Sequence, residues 1–166
     1  MRYNNELLKC SNLEDLKKLF YQYAKLYHPD HGGSKEDMQK INNDYEYMFN
    51  KVKNMHINSD GATYYKETTE AASYFTNIIN NLINIPGLNI DIVGSFIWVG
   101  GNTKPYKDTL KSLGFRWSSN KALWYKSPEG YKKASRKKYT YEEITEKYGI
   151  QSSIHTGSKK AAYMLY

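Results

Sequence analysis

The chain has 166 residues, with 24 Lys and Arg against 17 Asp and Glu, a formal net charge of +7. This length allows one sizeable core or two small ones. No apolar run reaches the ~18 residues that indicate a membrane helix, so we expect no membrane span. The first ten residues, MRYNNELLKC, contain no apolar stretch typical of a secretion signal, so we expect none. Cys10 is the single cysteine, which excludes an internal disulfide and a cysteine-based metal cluster and favours a reducing, cytoplasmic setting.

The positive charge is concentrated in one segment. Residues 1–93 hold 10 Lys and Arg against 12 Asp and Glu, whereas residues 94–141 hold 11 against 2. Residues 142–166 hold three of each sign. A basic segment of this kind points to an acidic partner rather than to a particular fold.

Two amphipathic helices are predicted near the start of the chain. Ser11 and Glu14 fit a capping box that opens the first helix. Apolar residues then recur at steps of three and four on one face: Leu13, Leu16, Phe20, Tyr23 and Tyr27. The polar residues Glu14, Lys18, Gln22 and Lys25 fall on the other side. Pro29 and the pair Gly32-Gly33 end the helix.

A second capping box, Ser34 with Asp37, opens a helix from about Lys35 to about Lys53. Its apolar stripe comprises Met38, Ile41, Tyr45, Met48 and Val52. The two helices should pack antiparallel with their stripes in contact. Leu7 and Leu8 predict a short leading helix that covers one side.

The loop between these helices reads YHPDHGGS, from Tyr27 to Ser34. Gly, Pro and Asp are the residues that such a turn requires, so an ordinary connection would account for Pro29, Gly32 and Gly33 and for Asp30 as a local cap. Turn chemistry does not explain a histidine directly before the proline. By residue types alone, an ordinary connection and a working tripeptide both stay open.

LKKLFYQYAKLYHPDHGG followed by MQKINNDYEYM resembles the J-domain of DnaJ-type co-chaperones, over roughly residues 3–53. The resemblance implies that His28, Pro29 and Asp30 stimulate ATP hydrolysis by a DnaK-type chaperone. The family usually has cations two and about six residues before the histidine, where this chain has Leu26, Gln22 and Tyr21. Its own cations, Lys17, Lys18 and Lys25, are therefore the expected chaperone-binding ones. The Gly/Phe-rich linker and cysteine-rich zinc region of full-length DnaJ are missing.

The middle of the chain is interpreted as a linker and a helix. Residues 56–65 have no clean periodicity, whereas a helical pattern returns from about Lys66 and stops at Pro86-Gly87. We therefore expect a helical domain over residues 1–55, a linker and helix over 56–86, a basic module over 87–141, and a helix with a tail over 142–166. No histidine has ligand-like spacing with a third partner, so we expect no metal site.

The basic module is predicted to have the order β-β-α-β-β. NIDIV and FIWV form a hairpin around Gly94-Ser95, and Thr103 caps a helix with Leu110 and Leu113 inward. FRW and ALWYK add two strands. A further capping box, Thr140 with Glu143, opens a helix to about Tyr148. The fold class is therefore α+β, and residues 85–141 are expected to be stable on their own.

The stretch GNTKPYKDTLKSLGFRWSSNKALWYKSP resembles a small module in proteins of phages and other mobile elements of Gram-positive bacteria, where it is paired with a J-domain. Its aromatic residues could build the core of a small domain or stack on exposed bases: Trp98, Phe115, Trp117, Trp124 and Tyr125. The expected nucleic-acid-binding cations are Lys104, Lys107, Lys111, Arg116, Lys121 and Lys126. A second cationic run comprises Lys132, Lys133, Arg136, Lys137 and Lys138.

Three functions compete on this sequence. The first is a co-chaperone that stimulates a DnaK-type ATPase and recruits it through the basic module. The second is a protein of a mobile element that binds nucleic acid, single-stranded by preference. The third is an interaction protein that titrates or inhibits a host factor, such as a component of host defence. The chain has no phosphate loop, GxSxG or HExxH motif, so we expect no enzymatic activity and no cofactor.

Overall fold

The computed structural model describes residues 3–58, 60–131, 140–148 and 150–155. The chain divides into two compact units, Met1–Asn84 and Ile85–Tyr166. Unit 1 is mainly helical and unit 2 is built on an antiparallel sheet, so the predicted α+β class is confirmed. Among the helices in these ranges, none combines the length and apolar character needed to cross a membrane.

Unit 1 contains the predicted helical hairpin, α1 (Leu13–Tyr27) and α2 (Lys35–Val52). The first capping box is wrong by one residue, because the Asn12 side chain accepts from the Asp15 N–H at 2.8 Å. At α2 the predicted cap is confirmed, with Ser34 Oγ accepting from the Asp37 N–H at 2.9 Å. A 3-10 turn at Glu6–Lys9 is the predicted leading helix, and it buries Leu7.

The segment interpreted as a linker instead forms a β-hairpin, β1 (Met55–Ile57) with β2 (Thr63–Tyr65). It is followed by α3 (Ala72–Ile83), which packs against both α1 and α2. The centre of unit 1 contains one ring from each helix: Phe20 lies 4.7 Å from Tyr45 and 6.0 Å from Phe75, centroid to centroid. Residues 55–84 therefore belong to the N-terminal unit.

Two buried side-chain pairs, Lys17 with Glu70 and Glu14 with His56, explain why the hairpin and α3 pack on the polar side of α1. Glu14 is 3% exposed and its carboxylate lies 2.7 Å from His56 Nδ1 on β1. Lys17 is 1% exposed and its Nζ lies 3.0 Å from Glu70, just before α3. Because each buried charge has a partner from another element, this side of α1 leaves water without stranding a charge.

Unit 2 has the predicted β-β-α-β-β order. β3 (Leu88–Val93) and β4 (Phe96–Gly101) flank the two-residue turn Gly94-Ser95. After a 3-10 turn at Lys104–Tyr106 come α4 (Lys107–Ser112), β5 (Arg116–Ser118) and β6 (Leu123–Lys126). The prediction that Thr103 caps this helix is wrong, because its side chain makes no capping hydrogen bond and the residue is buried.

Two further elements complete unit 2. In α5 (Tyr141–Tyr148), the predicted capping box is confirmed, since Thr140 and Glu143 each accept from the other's backbone N–H. β7 (Ile150–His155) then pairs with β3, where the sequence predicted a tail. The antiparallel sheet has the order β5-β6-β4-β3-β7, so the module extends beyond residue 141.

The strand register defines two faces of this sheet. Trp117, Trp124, Val99 and Ile90 lie opposite one another on what we call the helix-side face. Arg116, Tyr125, Trp98 and Asp91 form the corresponding row on the other side, which we call the aromatic face. Successive residues of a strand point to opposite faces, so these two rows assign a face to each side chain of β3 to β6.

Candidate functional site

The tripeptide His28-Pro29-Asp30 lies at the turn of the helical hairpin in unit 1. α1 ends at Tyr27, and His28 takes the extended conformation (φ −62°, ψ 135°) that a following proline favours. Residues Pro29–His31 then form one 3-10 turn. His28 O accepts from the N–H groups of His31 and Gly33 at 2.9 and 3.0 Å. The loop backbone is thus closed on itself before any partner binds.

The loop fixes the orientation of the histidine ring. His28 Nδ1 accepts from the Asp30 N–H at 3.2 Å, which leaves the proton of a neutral imidazole on Nε2. The His28 side chain is 16% exposed, whereas that of Asp30 is 64% exposed. The loop therefore presents an exposed carboxylate, 3.6 Å from His28 Nδ1, next to an oriented imidazole.

Two glycines make the return to α2 possible. Gly32 has a φ of +86°, in the left-handed region that side chains disfavour. A Cβ atom at Gly33 would lie 1.9 Å from the backbone oxygen of Tyr27. A side chain at either position would displace the loop, so the glycine pair holds the tripeptide where it is.

A contact that the sequence did not predict ties this loop to α3. His31 Nε2 lies 3.1 Å from the carbonyl oxygen of Ile83, at the end of that helix. The pattern of α1 and α2 gave no sign of it, because His31 and Ile83 are 52 residues apart. The third helix of unit 1 thus contributes to the position of the loop.

The three cations expected to bind the chaperone have different environments. Lys17 is buried in its ion pair with Glu70, so its predicted surface role is wrong. Lys18 is partly exposed. Lys25 is also partly exposed, and burial, which disfavours the charged ammonium, lowers its pKa to about 8. Lys17 faces the segment that leads into α3, and the apolar stripe of α1 could not predict that this segment packs there.

The positions where J-domains usually carry cations differ in their exposure in this chain. Tyr21 is fully buried in the core. Gln22 is partly exposed, and Leu26, one turn further on, is 53% exposed. The solvent face of α1 that leads to the loop is therefore uncharged at these two positions, with Lys18 and Lys25 to one side.

The second candidate site is the basic surface of unit 2, whose six predicted cations divide between the two faces. Lys104, Lys107 and Lys111 are exposed along the 3-10 turn and α4. Lys126 follows Trp124 by two residues and so belongs to the helix-side face. Arg116 lies on the aromatic face, and Lys121 Nζ lies 5.7 Å from the centroid of the Trp98 ring there. The run at 132–138 lies outside the described residues.

The aromatic residues of unit 2 are mostly part of the core. Trp98, Phe115 and Trp124 are 5%, 3% and 7% exposed. Tyr125 is partly exposed and its ring packs 5.3 Å from Trp98. Trp117 differs, because it is 49% exposed. Of the five aromatic residues that could either form the core or stack on bases, Trp98, Phe115 and Trp124 therefore belong to the core.

No side-chain cluster suited to a metal ion occurs among the described residues. Comparisons with known proteins found no match to a protein-family model, to a curated protein or to a solved structure. The interpretation of both candidate sites therefore rests on their residues and their geometry.

Proposed function

We propose that this protein is a co-chaperone of J-domain type, which binds a DnaK-type ATPase through the loop His28–Gly33 and stimulates ATP hydrolysis. The observation that carries the proposal is the tripeptide His28-Pro29-Asp30, held rigid at the turn of an antiparallel helical hairpin with Pro29 and Asp30 exposed. A rigid loop loses little conformational entropy on docking, which favours binding through a small contact.

Each residue of the tripeptide has a separate part in this proposal. The exposed Asp30 carboxylate can accept two parallel hydrogen bonds from a partner arginine. Pro29 fixes its own φ and biases His28 to the extended conformation. His28 orients the turn through its hydrogen bond with the Asp30 N–H and keeps Nε2–H as a donor. The protein itself then needs no enzymatic activity and no cofactor.

Unit 2 completes the proposal as the part that brings the chaperone to its client, in the cytoplasm of a bacterium that carries a phage or other mobile element. Its basic charge supports an acidic client, either nucleic acid or a protein. Inhibition of a host factor through the same surface is the competing function.

The test is a single-turnover ATPase assay with a bacterial DnaK and the full chain at micromolar concentration. We expect the wild type to accelerate hydrolysis, and His28→Gln and Asp30→Asn to remove the acceleration. Glu46→Gln is the matched control for Asp30→Asn, because it removes one exposed carboxylate from the middle of α2. Circular dichroism of each variant checks that the fold is retained.

Two results would refute the co-chaperone function. One is the absence of stimulation by the wild type. The other is equal stimulation by the wild type and both loop variants, since the tripeptide would then have no part in the effect.

A further inference from the structure

Trp117 is a large aromatic residue of unit 2 that is not buried in the core, unlike Trp98 and Trp124. It lies on β5, which pairs with β6 at the edge of the sheet. One edge of its ring system contacts Trp124, at 5.5 Å between centroids and 61° between planes, while 49% of the residue is exposed. A large apolar ring at a sheet edge is left to water unless something covers it.

Two exposed cations lie on α4, the helix that leads through residues 113–115 into β5. Lys126 shares the helix-side face with Trp117, and a Cβ atom at Gly114 would lie 2.3 Å from Lys126 Nζ. Gly114 closes the end of α4, where its N–H donates to Lys111 O at 3.0 Å. The end of α4 therefore lies next to the ammonium group of Lys126. Lys107 lies one turn before Lys111 on the same helix and is exposed.

The positive charge of this surface favours a negatively charged partner. In α4 the cations Lys107 and Lys111 are opposed by Asp108 alone, within a segment of 11 Lys and Arg against 2 Asp and Glu. A row of cations beside an exposed indole is the combination that binds a phosphate backbone and stacks on an unpaired base. A duplex offers the phosphates but hides the base faces.

We propose that the exposed edge of the helix-side face, formed by Trp117 and the exposed lysines of α4, binds single-stranded nucleic acid, with Trp117 stacked on a base and Lys107 and Lys111 along the phosphates. The middle of this face is core, because Trp124, Val99 and Ile90 are 7%, 0% and 0% exposed. Arg116 and Lys121, which the sequence placed in the same site, lie on the aromatic face and take no part. This proposal does not depend on the co-chaperone function, because the tripeptide and its loop belong to unit 1.

The first test is a fluorescence-anisotropy titration of the full chain with single-stranded oligo-dT and oligo-U and with a duplex of equal length. We expect tighter binding of the single strands, and a loss of about tenfold for Trp117→Ala, in the range of one stacked base. Trp117→Phe keeps a stacking ring and should stay close to the wild type. Tyr131→Ala is the matched control, since Tyr131 is 46% exposed and packs on Phe96 of the aromatic face.

The second test compares charges on the two faces. Lys107→Gln with Lys111→Gln should reduce the slope of log K against log salt by about 1.4, at ~0.7 per phosphate contact on a single strand. Arg116→Gln with Lys121→Gln removes the same charge from the aromatic face and should leave most of the slope.

The third test locates the contact directly, even if Trp117→Ala proves unstable. Titration of the full chain with a short oligo-dT should shift the indole N–H signal of Trp117 in the NMR spectrum and leave those of the buried Trp98 and Trp124.

Four results would overturn the proposal. They are no binding at low salt, preference for the duplex, equal losses from the two faces, and displacement of the oligonucleotide by polyglutamate at equal charge concentration. The last of these would identify an acidic protein as the partner.

Discussion

Among single residues, Leu26 distinguishes this helix most clearly from the J-domain pattern that it resembles. It is 53% exposed and lies two residues before His28, at a position where the family usually carries a cation. The proposed docking surface therefore lacks one contact with an acidic partner. The side chain is free to change because it contributes little to the core.

We predict that Leu26→Arg increases stimulation of DnaK by up to about fivefold at low salt, since one exposed ion pair contributes ~0.2–1 kcal/mol. Leu8→Arg is the control, because Leu8 is also exposed, at 40%, but precedes α1. The assay is single-turnover ATP hydrolysis. Equal effects of the two variants would mean that added charge, rather than the face of α1, is responsible.

His56 should make the stability of unit 1 depend on pH. Nδ1 lies 2.7 Å from a Glu14 oxygen and Nε2 lies 3.0 Å from the Lys66 carbonyl. The imidazolium can donate to both acceptors, and its hydrogen bond to the Glu14 carboxylate raises the pKa of His56 although burial opposes the shift. The folded state then binds the proton more tightly than the unfolded chain does.

Because the pKa is raised on folding, this stabilisation is fully present below the unfolded value of about 6.5 and is lost as the pH rises through the folded pKa. We predict that the free energy of unfolding falls above pH ~6.5 by at most ~1.4 kcal/mol per pH unit. In His56→Gln this part of the slope should vanish. Urea unfolding of both proteins from neutral to alkaline pH measures it, and equal slopes would contradict the assignment.

At the scale of elements, α3 is held to α1 by a buried ion pair as well as by its apolar face. Lys17 Nζ lies 3.0 Å from Glu70 and 5.2 Å from the centroid of the Phe75 ring. We predict that Glu70→Gln destabilises unit 1 by ~3–5 kcal/mol, because it leaves the Lys17 charge buried and unpaired. Lys17→Met combined with Glu70→Met should recover most of that loss.

Chemical denaturation of these variants measures the change in the free energy of unfolding, and Lys51→Met is the control for the loss of an exposed lysine. If Glu70→Gln were as mild as Lys51→Met, the pair would not hold α3 in place.

The same pair shows where sequence patterns succeed and fail. The stripes of α1 and α2 were predictable because one apolar face packs on another. The burial of Glu14 and Lys17 was not, because charged side chains read as solvent-exposed, and their partners His56 and Glu70 are 42 and 53 residues away. The hairpin and α3 were therefore interpreted as a linker and a separate helix.

In unit 2 the strands were predictable from alternation and from the turn at Gly94-Ser95. β7 was not, since IQSSIH follows a helix and has few apolar residues. The glycine and proline pattern located the loop of the tripeptide, but the contact from His31 to Ile83 depends on the packing of α3. The exposure of Trp117 likewise follows from the position of β5 at the sheet edge.

At the scale of the whole molecule, the division near residue 85 predicts two parts that fold separately. We predict that residues 85–166 give a dispersed NMR spectrum on their own. The fragment 85–141 should be less stable, because it lacks β7 and leaves β3 as an open edge. Equal melting temperatures of the two fragments would show that β7 adds nothing, and a disordered spectrum of 85–166 would contradict the division.

The most direct test of the co-chaperone function is an NMR titration of the full chain with the ATP-bound form of a DnaK-type chaperone. We predict that amide signals of residues 28–33, together with Gln22 and Leu26 on the exposed face of α1, shift or broaden, and that Asp30→Asn abolishes these changes. Perturbations that miss the loop, or that persist unchanged in Asp30→Asn, would contradict the claim that the tripeptide makes the contact.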